Sequence, residues 1–223
     1  MDYNSGDLLG GLDRGVSAFY LAPNRGWDDQ HNGKLGQDSS FEYVARGFFE
    51  AGEELADGCM ANKGSIDFKF YPLLFLYWHG VELALKHIAR HRAEILGESL
   101  PDGKPTGHKV LVLWDAVRGD LEAIVHDSLS GPDFSFSCPY DVDDVNALLR
   151  DLASIDREGI SFRYPKSQHG DALLRGVDAV SVQRAHDVLK ALGQTFIAWM
   201  AAISEESEIL RIARREREQR RGR

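Results

Sequence analysis

The sequence predicts an all-α fold, a bundle of about five helices with a long one at the C-terminus, and three observations carry that reading. Apolar residues recur at intervals of three and four over five separate segments, as in helices that bury one face. Stretches rich in Gly and Pro, such as "GESLPDGKPTG" and "LSGPDFSFSCPYD", divide those segments. Strand-like alternation is confined to "ISFRYPKSQHGD".

Residues 1–38, rich in Gly, Asp and Asn, form an irregular N-terminal arm with no periodic apolar face. Asp38 or Ser39 can then cap a first helix, in which Phe41, Val44, Phe48, Phe49 and Leu55 recur near the helical period. A second helix runs from about Phe70 to Leu96, with Pro72 in its first turn, where a missing N–H costs nothing. The third starts after Gly107 and carries Val110, Leu113, Trp114, Val117, Leu121 and Ile124. The fourth is marked by Val142, Val145, Leu148, Leu149, Leu152 and Ile155, with Gly159 closing it. The last, from about Val177 to Arg221, carries Val182, Ala185, Val188, Leu189, Leu192, Phe196, Trp199 and Ile203 before charge takes over, as one helix or as two with a break near "SEES". The chain thus divides into the arm, a helical bundle over 39–203 and a charged, Arg-rich helical extension over 204–223.

Composition excludes several classes. At 43% hydrophobic and 27% charged, the 223-residue chain has the make-up of a globular protein with its own core. Its longest apolar run, Phe70 to Val81, is too short to cross a bilayer, and "MDYNSGDLLG" lacks the basic-then-apolar order of a leader, so a cytoplasmic protein is expected. Cys59 and Cys138 stand far apart with no CxxC, pointing to free thiols rather than a disulfide or structural zinc. The net charge of −9 opposes general affinity for nucleic acid, yet "RIARREREQRRGR" alone carries +5. Arg214, Arg215, Arg217, Arg220 and Arg221 there are candidate phosphate contacts, or cations that complement the helix dipole at a solvated end.

Chemistry concentrates on the second helix. His79, Glu82, Lys86 and His87 lie along one side, with Glu82 and Lys86 in the favourable i,i+4 ion-pair order. They read as a stabilising pair, or as the wall of a cleft in which Glu82 orients a base or Lys86 meets a phosphate. His87, His91 and Glu94 share a face as zinc ligands can, but Ile88 stands where a catalytic zinc helix carries glutamate, and neither a metal nor any other cofactor is expected. His108 reads as part of the start of the third helix. In "FRYPKSQH", Arg163 and His169 are separated by five residues. Metal-independent RNA cleavage needs a base for the 2′-hydroxyl and a cation for the phosphorane, and this pair supplies both. The same residues also read as a loop anchor, Arg163 with Tyr164, beside an exposed histidine.

The elements "YPLLFLYWHGVELALK", "GHKVLVLWDAV" and "SFRYP" together resemble bacterial members of the HEPN superfamily, over about residues 41–200. The resemblance implies a HEPN-like helical bundle whose Arg-x4–6-His motif meets its copy across a homodimer. Arg163 and His169 match that spacing, although Pro165 stands inside the motif. The implied activity is a metal-independent endoribonuclease of a bacterial toxin, stress or anti-phage defence system. In it His169 acts as base or acid, Arg163 binds the phosphate, and His79, Glu82, Lys86 and Tyr164 support the cleft. A partner such as an antitoxin protein would restrain it. The alternative implied is a non-catalytic HEPN-like scaffold that dimerises and binds a partner protein, a nucleotide or RNA.

Overall fold

The structure, a computed structural model, describes residues 40–61, 66–98, 107–129, 136–155 and 181–221. Among the described residues are five helices and no strand: α1 (Phe41–Ala61), α2 (Ile66–Leu96), α3 (Val110–Leu129), α4 (Val142–Ile155) and α5 (Val182–Arg221). The all-α expectation holds, including the long final helix. The N-terminal arm, "ISFRYPKSQHGD" and the helix stop at Gly159 lie outside the described residues.

Short polar side chains open α1, α4 and α5. Ser40 caps α1, its Oγ accepting the Tyr43 N–H at 3.1 Å, while Asp38 and Ser39, the expected caps, lie outside the described residues. Asp141 and Asp144 cap α4 reciprocally, each carboxylate accepting the other residue's N–H, at 2.8 and 3.4 Å. Ser181 opens α5 by accepting the Arg184 N–H at 3.3 Å. The expected start at Val177 lies outside the described residues.

α2 begins at Ile66, so Pro72 sits inside the helix and not in its first turn. Proline there forfeits one i to i−4 bond, and the loss falls on a turn where Phe68, Tyr71 and Pro72 are all exposed. Burial then closes around the helix, and every residue from Val81 to Ile88 is buried. A helix buried on all sides is a central helix, and α1, α3 and α5 pack around this one. Side-chain pairings give the directions. His87 with Ser204, then Glu94 with Ser207, shows α5 running alongside α2 in the same sense, while Glu42 near His87 and Gly52 near Tyr77 show α1 running against it.

The closest approach is among α1, α2 and α5. A Cβ on Gly80 would stand 2.7 Å from the Phe49 ring, and one on Gly193 would stand 3.2 Å from it. Two glycines on different helices therefore make the recess that takes Phe49. On the other flank Trp114 of α3 stacks on Trp199 of α5 at 6.0 Å between ring centroids, both fully or almost fully buried. Such pairs add about 1 kcal/mol beyond their burial. Trp114 Nε1–H also donates to Asn146 Oδ1 at 3.1 Å, fastening α4 onto α3.

α5 is a single 40-residue helix, unbroken through "SEES". At a rise of 1.5 Å per residue it is roughly 60 Å long. Its buried residues run from His186 to Ser207, and Arg214 to Arg221 are exposed. No helix of the described residues is long and apolar enough to cross a membrane. Cys59 and Cys138 are free thiols.

Candidate functional site

Glu82 lies within the buried stretch of α2, where a carboxylate must find donors or lose its charge. It has them. Lys86 Nζ donates to Oε1 at 2.7 Å from one turn on, and His108 Nδ1 is 2.9 Å from the same oxygen. His79 Nδ1 stands 3.8 Å from Oε2, close enough for ionic attraction but beyond a hydrogen bond. Burial pushes the Glu82 carboxyl up, and the neighbouring His79, Lys86 and His108 outweigh it, holding the pKa at about 2. Glu82 is therefore an anion at neutral pH.

Each partner is placed by a different device. Helical spacing puts His79 and Lys86 on neighbouring turns, and Phe75 stacks on the His79 ring at 5.6 Å while Phe48 meets it edge-on at 4.6 Å. His108 reaches the site from the residue pair before α3. Gly107 has φ +101°, a left-handed conformation that strongly favours glycine, and it turns the chain so that His108 comes down on Glu82. His108 and Glu82 thus differ sharply in exposure, with side chains 79% and 8% accessible.

A second polar group lies on the adjoining face, where α1 and α5 cover α2. His87 Nε2 is 2.8 Å from Ser204 Oγ and 3.8 Å from Glu42 Oε2, and its ring lies 4.4 Å from that of His91. Ser207 Oγ–H donates to Glu94 Oε2 at 2.8 Å. Burial, with the adjacent His91, lowers the His87 pKa to about 4, and burial lowers that of His91 too. His91 Nδ1 is buried without a hydrogen-bond partner, although Glu94 stands 3.5 Å away. Among the described residues no three His, Cys, Asp or Glu side chains converge as a metal site. This face stitches α2 to α5.

Of the residues singled out from sequence, His79, Glu82 and Lys86 come together in one cluster. Arg163, Tyr164 and His169 lie outside the described residues. Arg214, Arg215, Arg217, Arg220 and Arg221 lie on the exposed end of α5. Arg214 approaches the Ile95 carbonyl at 3.5 Å, which places it roughly 20 Å along α2 from Glu82. Compared with known proteins, the chain matches no family model, no curated protein and no solved structure. Sequence reasoning missed the part of His108. The signal was present in "TGHKV", where a glycine just before a helix start permits a backbone turn that other residues resist, but nothing in the spacing tied it to Glu82, 26 residues away.

Proposed function

We propose that this protein is a HEPN-like, metal-independent endoribonuclease of a bacterial toxin, stress or anti-phage defence system, working in the cytoplasm as a homodimer. The observation that supports it is the Glu82 cluster. A buried, ionised carboxylate gathers His79, Lys86 and His108 at one point, an arrangement suited to holding imidazole and ammonium groups for proton transfer and phosphate binding. Arg163 binds the scissile phosphate in this reading, and His169 exchanges a proton with the reacting oxygens. Tyr164 supports the cleft, and the α5 arginines hold RNA away from the cut. A partner or antitoxin protein restrains the activity.

A non-catalytic HEPN-like scaffold that dimerises and binds a partner protein, a nucleotide or RNA is the second reading. It is supported by Phe68 and Tyr71, both exposed and three residues apart on one face of α2. Incubating the purified protein with total RNA and a tRNA pool in excess EDTA separates the two. Cutting that leaves cyclic phosphate ends, lost in folded Arg163→Ala and His169→Ala variants, is the expected result. RNA retention without cutting, with and without the native partner, would favour the scaffold.

A further inference from the structure

We infer that His108 is a catalytic general base of the proposed ribonuclease and that Glu82 is the residue that positions it. This rests on the ribonuclease reading and adds to it a second histidine. Glu82 Oε1 can only accept, so the nitrogen 2.9 Å from it, His108 Nδ1, must carry a hydrogen. Neutral His108 is thereby held with its proton on Nδ1, which leaves the Nε2 lone pair unprotonated. The side chain is 79% exposed while its carboxylate partner is 8% exposed. A buried anion that orients one ring nitrogen and leaves the other open to solvent is the arrangement by which carboxylates prepare histidine bases. Lys86, on the same carboxylate oxygen, keeps Glu82 ionised, so Glu82 acts through His108 and not as a base itself.

In the step so defined, His108 Nε2 takes the proton of an RNA 2′-hydroxyl. The 2′ oxygen forms a bond to phosphorus as the bond from phosphorus to the 5′ oxygen breaks. The departing oxygen takes its proton from His169, the acid of the proposed reading, then His108 releases its own proton to solvent and His169 regains one from it. A 2′,3′-cyclic phosphate and a 5′-hydroxyl result, with no net change in atoms or protons.

The test uses the full chain in EDTA on the tRNA pool, comparing wild type, His169→Ala, His108→Ala and Glu82→Gln, with circular dichroism for folding. His108→Ala removes an exposed side chain and should fold. Its kcat is expected to fall about 100-fold or more with KM little changed, and added imidazole to restore part of it. Nitrogen-15 NMR of histidine-labelled wild type should show the Nδ1–H form for His108, lost in Glu82→Gln together with a displaced pH–rate profile. Cutting lost in His169→Ala but undiminished in His108→Ala would overturn this inference and leave the ribonuclease reading standing. An Nε2–H form for His108 in wild type would remove Glu82 as its positioning residue. Wild type that cuts no RNA would overturn both.

Discussion

Glu82 and Lys86 place opposite charges one turn apart on a helix segment otherwise shut off from water, so the Glu82 carboxylate depends on its donors to remain ionised. Replacing Lys86 with Met should destabilise the protein by about 3 kcal/mol, because it takes the ammonium donor from a buried carboxylate and leaves only histidines beside it. Adding Glu82→Gln should restore part of the loss, and urea unfolding of the single and double variants measures both. Acid should act through the same neighbourhood. His87 has a folded-state pKa of about 4 against an ordinary 6.5, so only the unfolded chain takes up its proton as pH falls below 6.5. Stability from that group is complete above 6.5 and declines down to about 4. Glu82, at about 2 against an ordinary 4.5, contributes stability above 4.5 that is lost as pH falls toward 2. The melting temperature should therefore fall continuously from pH 6.5 downward, each group accounting for no more than about 3 kcal/mol. His87→Gln should make the arm between 6.5 and 4 shallower, and what slope remains there belongs to His91, whose pKa burial also lowers. A wild-type curve level down to pH 5 would contradict the burial assigned to His87.

Helix contacts show which patterns were readable in the chain. In α1 the stripe that meets its neighbours is Ala45, Phe49, Gly52, Ala56 and Cys59, small residues with one large one, whereas Val44 is 38% exposed. Apolar periodicity placed the helix correctly and misassigned part of its inner face, because it weighs size and not the closeness of the partner. Only the partners explain the glycines. Gly80 and Gly193 leave the recess for Phe49, and Gly52 leaves one for Tyr77, whose ring carbon a Cβ there would meet at 2.9 Å. Gly80→Ala should cost about 1 to 3 kcal/mol, since it crowds an aromatic ring pinned on two sides, and Phe49→Leu in the same chain should recover part of it. Chemical unfolding of the two variants would decide. Gly47, with nothing within 4 Å of its added Cβ, is the control, and Gly47→Ala should leave stability the same or slightly higher.

Across the whole chain, five helices were evident from apolar spacing because each has to bury one face, and their limits shifted where capping or proline chemistry was finer than the period. The Glu82 cluster was half evident. His79, Glu82 and Lys86 are neighbours by helical geometry, while His108 joins them only because α3 packs on α2, a contact that no local pattern encodes. α5 shows the same division between what spacing encodes and what packing adds. Its contacts with α2 extend to Ser207 and the Ile95 carbonyl, and the arginines after Arg214 make no ion pair among the described residues. With only the exposed Arg214 contact to Ile95 at stake, deleting residues 214–223 should shift the melting temperature by no more than about 2 °C. Its effect on RNA should be larger. Each phosphate neutralised on a single strand contributes about 0.7 to the slope of log affinity against log salt. If the five arginines Arg214, Arg215, Arg217, Arg220 and Arg221 all meet phosphates, their loss should flatten that slope by up to about 3.5. Filter-binding titrations of the tRNA pool across a salt series, with full-length and shortened chains, measure it directly. An unchanged slope would put the RNA elsewhere on the bundle and leave the arginines as cations facing the negative end of their own helix.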